Sequence, residues 1–166
     1  MTRDQLFDFS IVKESSTIHI KREFTAELEL VWQSWTLAKL LDQWWAPSPY
    51  RTETKTMDFR VGGIWHYALV SPGATKHWCR SDYKIIESHK HITELRSFSD
   101  EFGTIAPAVK PTECNIVFTC REGKTLVTMI EKYTNPKMFE RMATDSHKKG
   151  FSSHLKNLDK LLLTLK

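Results

Sequence analysis

The stretch that decides the fold is Gly150-Phe151-Ser152-Ser153-His154-Leu155-Lys156-Asn157-Leu158-Asp159-Lys160-Leu161-Leu162-Leu163-Thr164-Leu165. Phe151, Leu155, Leu158, Leu162 and Leu165 recur at i, i+4, i+7, i+11 and i+14. That spacing draws one apolar stripe down one side of a helix. It predicts a single long helix from about Pro136 to Leu165. Gly150 interrupts it, at a cost of about 1 kcal/mol relative to alanine. A close approach of the helix to another element, the sheet, is the expected compensation.

Such a stripe needs a broad apolar partner. The preceding residues supply one in period two. Thr17 to Phe24 alternates as a strand. Thr25 reads as the N-cap of a helix whose Leu28, Val31, Trp32 and Trp35 share one face. A second short helix, about Leu37 to Trp44, stops against Ala46-Pro47, because the residue before proline resists helix. Strands follow over Arg51 to Met57, Ile64 to Val70, His77 to Ile86, Ile92 to Phe98, Thr112 to Arg121 and Thr125 to Tyr133. Turn signals such as Gly62-Gly63, Pro72-Gly73 and Glu122-Gly123 separate several of them. Successive strands joined by tight turns pair antiparallel. The expected class is α+β: a curved antiparallel sheet of about six or seven strands wrapped around a long C-terminal helix, with two short helices after the first strand. A sheet gripping one helix encloses space, which is either filled by side chains or kept as a ligand cavity.

Length and composition agree with one domain over residues 1–166, with residues 1–16 as an N-terminal extension. The chain has 166 residues, 40% hydrophobic and 27% charged, which suits a packed core. The longest apolar run is Tyr67-Ala68-Leu69-Val70, so no membrane helix is expected. Met1-Thr2-Arg3-Asp4-Gln5 leads into no apolar segment of a secretory signal. Cys79, Cys114 and Cys120 are an odd and scattered set, which suits reduced thiols in the cytoplasm. The formal charge of +4 lies in residues 135–166, which hold 7 Lys/Arg against 3 acids. A solvated helix back explains it better than nucleic acid, because no Lys/Arg block or aromatic-interleaved basic stripe accompanies it.

Three groups of residues resemble a known family. Arg22-Glu23-Phe24-Thr25-Ala26 with Val31-Trp32, Thr36 and Gln43-Trp44-Trp45-Ala46-Pro47 is similar to the opening motif of the activator-of-heat-shock-ATPase-like (AHSA-like) proteins. Val61-Gly62-Gly63-Ile64-Trp65 resembles their Gly-Gly-x-Trp turn. Gly150-Phe151 with Leu155, Leu158, Leu161 and Leu162 resembles their terminal helix. The family belongs to the START/SRPBCC helix-grip superfamily, and the resemblance spans about residues 17–165. The family often has proline at the Ala26 position and tryptophan at the Phe151 position. Residues 1–16 have no counterpart and are read as an added edge strand or an oligomer contact, so a homodimer is among the expected states.

Candidate site residues follow from the enclosed space. Trp44 and Trp45 either rim a pocket or plug the core. Trp65, Tyr67, Phe118, Met129, Phe151 and Leu155 line a cavity or form ordinary core, since an apolar pocket and a core look alike in sequence. Arg80, Tyr83, Glu131, Tyr133 and His154 are polar candidates for orienting a ligand. Ser99 to Lys110 exceeds the usual loop length of roughly 4–6 residues and reads as a flap, with Phe102 and Ile105 as its apolar tips. No metal site is expected. His147 and His154 lie about 10.5 Å apart along a helix, too far for one zinc ion, and no second pair supports His77-x-Cys79. Cys114 and Cys120 stand about 20 Å apart on one strand face and do not bridge. No cofactor motif is present.

The leading expectation is a module that binds a small, largely hydrophobic molecule between sheet and helix. A cyclase or dehydratase, as in some superfamily members, is the alternative, with His154 paired to Glu131 or Tyr83. The resemblance also implies a chaperone partner, as for heat-shock ATPase activators with a stress-response role.

Overall fold

The computed structural model describes residues 6–166. Residues 1–5 of the N-terminal extension lie outside the described residues. The elements run β1 (Phe7–Val12), a 3-10 turn (Lys13–Ser15), β2 (Thr17–Phe24), α1 (Leu28–Thr36), α2 (Ala38–Trp44), β3 (Arg51–Met57), β4 (Ile64–Val70), β5 (Lys76–Glu87), β6 (His91–Phe98), β7 (Thr112–Arg121), β8 (Lys124–Lys132), α3 (Pro136–Met142) and α4 (Asp145–Leu165). The eight strands form one curved antiparallel sheet in the order β1-β2-β8-β7-β6-β5-β4-β3. The strand beyond the expected six or seven is β1, which pairs with β2 from Phe7↔Arg22 to Val12↔Thr17. It is an added edge strand, as one reading of the extension proposed.

Alternation decides which face each strand turns inward. Opposed residues share a face, so the register carries the inner face from strand to strand. Tyr67 of β4 faces Cys79 of β5, which faces Phe98 of β6. Tyr83, Glu94, Cys114, Glu131 and Ile18 form an inner row running from β5 to β2. Gly63 closes the turn into β4, and no other residue fits there. A Cβ on it would lie 2.0 Å from the Asp58 carbonyl oxygen.

α4 lies across the inner face. Its Phe151, Leu155, Leu158, Leu161 and Leu162 are buried in the same core as Ile18, Ile20, Ile92 and Ile116 of the sheet. Polar ties fix it further. Arg22 of β2 is buried and ion-paired to Asp159, and Asn157 donates to the Ala46 carbonyl at 3.1 Å. None of the described helices is long and apolar enough to cross a membrane.

Three expectations are corrected. The helix expected from Pro136 to Leu165 is two helices. Asn135 caps α3 and Thr144 caps α4, accepting from the His147 N–H at 3.1 Å. The chain turns out of helical geometry at Ala143 (ψ 60°) and Thr144 (ψ 159°). Thr25 does not cap α1 either; Glu27 occupies the cap position without a side-chain bond.

Gly150 makes no close approach. A Cβ there would meet nothing within 4 Å. The glycine costs helix stability without a packing return. Gly150→Ala is expected to stabilise the fold by about 1 kcal/mol, raising Tm by about 2–4 °C. Thermal unfolding of the variant checks this; a lower Tm would mean that a neighbour needs the space.

Candidate functional site

The interior between sheet and helices is divided. One half is filled by aromatic rings. Trp35 meets Trp44 edge-on at 4.6 Å, Trp44 meets Trp45 at 5.3 Å, and Trp45 meets Trp65 at 5.5 Å. Trp65 stacks on Tyr67 at 3.8 Å, and Phe118 packs against both Trp32 and Trp35. Trp44 donates its indole N–H to the Ser34 carbonyl at 2.8 Å, and Trp45 donates to the Tyr67 hydroxyl at 3.3 Å. Of the two readings of Trp44-Trp45, the structure takes the plug. Phe118, Met129, Phe151 and Leu155 are core on this side, each 5% exposed or less. Tyr83 is core too, edge-on to Phe59 at 4.9 Å.

The other half holds a cavity of about 160 Å³ below the break between α3 and α4. Met138 and Met142 of α3 and Val109 of the long loop form its apolar walls, with Phe98 and Tyr67 from the sheet. Its floor is ionic. Arg96 lies between Glu94 (3.1 Å) and Glu131 (3.2 Å), and its guanidinium covers the Trp45 ring at 4.8 Å. Tyr133 donates its hydroxyl to Glu131 Oε1 at 3.0 Å. His147 of α4 brings Nε2 to 3.7 Å from the same oxygen, an ion-pair distance too long for a hydrogen bond. That nitrogen is buried and has no hydrogen-bond partner among the described residues.

Burial opposes the charge of Glu131, but His147 and Arg96 outweigh it and hold the carboxyl below its ordinary range. Burial likewise opposes the charge on Arg96, and the Glu94 and Glu131 carboxylates around it keep it protonated. Burial pushes the Cys79 thiol up to about 11 and raises the Tyr67 and Tyr133 phenols. These three stay protonated near pH 7, so none is a ready nucleophile. No cluster of three metal-binding side chains occurs among the described residues.

Of the residues expected to line the cavity, Tyr67 and Glu131 do, together with the polar candidate Tyr133. Arg80 does not. It pairs with His66 and Ser97 in register, on the outer face, and spends its guanidinium on Asp82 and the Gly103 carbonyl. The flap is also corrected. Phe102 is 80% exposed beside Lys55, on the outer face where His66 holds the Asp100 carbonyl at 3.0 Å. Ile105 pairs with Ser99 at the base of the loop. It is the second half of that segment, Val109 and Lys110, that reaches the cavity. The histidine beside Glu131 is His147, not His154. His154 stacks on Trp45 at 5.8 Å, within the plug.

An open antiparallel sheet closed over by one long helix, with a cavity at one end of the seam, defines the helix-grip architecture. The chain belongs to the Activator of Hsp90 ATPase homolog 1-like protein family, whose model matches residues 25–163. A solution structure from Arthrobacter aurescens is similar, at 24% identity over 95% of this chain and 91% of the other, with a TM-score of 0.86. A crystal structure of a Mycobacterium smegmatis protein matches at 21% identity over 96% and 97%, with a TM-score of 0.84. A Silicibacter pomeroyi protein named AHSA1 matches at 16% identity over 90% and 99%, with a TM-score of 0.71. At these identities the likeness shows the fold. No curated protein matches significantly.

His154 makes the plug acid-sensitive. Burial first, then the Arg96 charge, push it down to about 3. The folded state therefore holds it neutral while the unfolded chain takes up a proton below about 6.5. Its contribution to stability is complete above that pH. It falls as pH drops toward 3, by up to about 1.4 kcal/mol per unit. Urea unfolding at pH 7 and pH 5 is expected to show this loss, and His154→Phe to reduce it. Equal losses in both proteins would remove His154 as the cause.

Proposed function

We propose that this protein binds a small, largely apolar molecule in the cavity beneath the α3–α4 break. The observation that carries the reading is the cavity itself, about 160 Å³ with methionine, valine and aromatic walls over a buried polar floor. An apolar cavity of about 150 Å³ admits a guest of benzene size. Apolar burial at about 25 cal/mol per Å² supplies the affinity, and the floor supplies orientation.

A cyclase or dehydratase would use the same cavity. In its favour stands one pair, His147 and Glu131, which are the residue types such proton transfers need. The chaperone role in the family's name calls for a contiguous apolar surface. Exposed apolar side chains such as Leu37, Phe102 and Leu163 come from different parts of the chain, whereas the cavity gathers its apolar walls in one place, which favours the cavity reading.

Toluene is a suitable probe for the walls alone. Toluene at ten times its Kd is expected to stabilise the protein by about 1.4 kcal/mol. Val109→Trp fills the cavity from the loop and is expected to weaken toluene binding at least tenfold while the fold persists. Calorimetric titration of both proteins checks this. Equal affinities, or no binding to the unaltered protein, would overturn the cavity reading.

A further inference from the structure

The cavity floor is a donor and an acceptor set side by side. Glu131 Oε1 accepts from the Tyr133 hydroxyl at 3.0 Å and keeps capacity for another bond. His147 Nε2, 3.7 Å away, is buried and unpartnered among the described residues. Facing a carboxylate, the imidazole favours the tautomer that carries its proton on this nitrogen. His147 lines the cavity, and its N–H is left beyond hydrogen-bond distance of Glu131 at the cavity's inner edge. Leaving it so costs the desolvation of the group, which a guest able to accept would recover.

Three head groups can be compared. A carboxylate only accepts. It would satisfy His147 but lie against the Glu131 carboxylate, while the single guanidinium of Arg96 is already shared between Glu131 and Glu94. Lys110, exposed at the mouth, is screened by solvent and does not change that balance. An ammonium only donates. It would satisfy Glu131 but meet the His147 N–H head on, beside Arg96, after losing its hydration. A hydroxyl does both, accepting from His147 and donating to Glu131 without bringing a charge into the cavity.

We infer that the cavity selects a neutral hydroxyl compound, a phenol or alcohol on a compact apolar body, whose oxygen sits between His147 Nε2 and Glu131 Oε1. This rests on the cavity reading and adds the class of ligand to it. The head group is oriented inward, toward Arg96, and the apolar body lies against Val109, Met138 and Met142.

The test is a titration of the full chain with four probes of similar size: toluene, phenol, benzoate and benzylamine. Phenol is expected to bind about tenfold tighter than toluene, with both charged probes weaker than phenol. His147→Phe keeps the ring shape that packs on Phe9 and Phe151. It is expected to retain toluene binding and lose the phenol advantage. His147→Gln keeps an N–H and is expected to restore part of it. Toluene binding as tightly as phenol would overturn the head-group inference and leave the cavity reading standing. So would benzoate or benzylamine binding tightest. No binding by any probe would defeat the cavity reading and this inference with it.

Discussion

Leu155 and Leu158 on α4 are completely buried, and the rest of the molecule is arranged around the need to cover them. A helix with one apolar side is stable only where that side meets another apolar surface. The sheet offers Ile18, Ile20, Ile92, Ile116 and Met129. It curves, so the helix touches it more closely in some places than in others. α1 and α2 fill the difference at one end with Trp32, Trp35 and Trp44. At the other end there is no third helix of that bulk. The chain breaks at Ala143–Thr144 instead, and short α3 leaves the cavity under it. Plug and cavity are therefore two answers to one geometric problem, set by where large aromatic residues were available.

The ionic floor is costly unless every member is paired. Removing one partner of a buried ion pair typically costs about 3–5 kcal/mol, because the other charge is stranded. Arg96 avoids this by lying between Glu94 and Glu131 and over the face of Trp45. Arg22 and Asp159 solve the same problem between β2 and α4. Trp45 belongs to both halves. One ring takes the Arg96 charge, stacks on His154 and hydrogen-bonds Tyr67, so the plug holds the floor in place.

The fold was largely legible in the sequence, and the site was not, for physical reasons that particular residues make plain. Period-two alternation and the leucine stripe are local signals of burial, and they located seven of the strands and the helical seam. β1 was harder, because Phe7–Val12 is an edge strand with only partial burial. The α3–α4 break was hidden because Met138, Phe139 and Met142 fit a helical stripe, while the interruption comes from a Thr144 side-chain cap. In β5 both faces carry aromatic and polar residues, with Cys79 and Tyr83 inward and Trp78 and Arg80 outward, so alternation alone did not say which was inside. Arg96 and Glu131 lie on different strands and become a pair only through the register of β6, β7 and β8. The usable signal was Glu94 and Arg96 at alternate positions with buried Ile92, which placed charge on an inward face.

His147 and His154 show why a residue's spacing is less informative than what lies beneath it. Seven apart on α4, they share a side of the helix, and Phe151 touches both rings, at 5.7 Å and 4.4 Å. Sequence gives them equal standing. His154 falls over the tryptophan plug, where burial and the Arg96 charge keep it neutral and its ring serves as packing. His147 falls two turns nearer the helix start, where its side chain lines the cavity and its buried nitrogen lies 3.7 Å from a carboxylate. The same side chain packs within the plug in one place and lines the cavity in the other. The difference is made by aromatic residues more than ninety positions earlier in the chain.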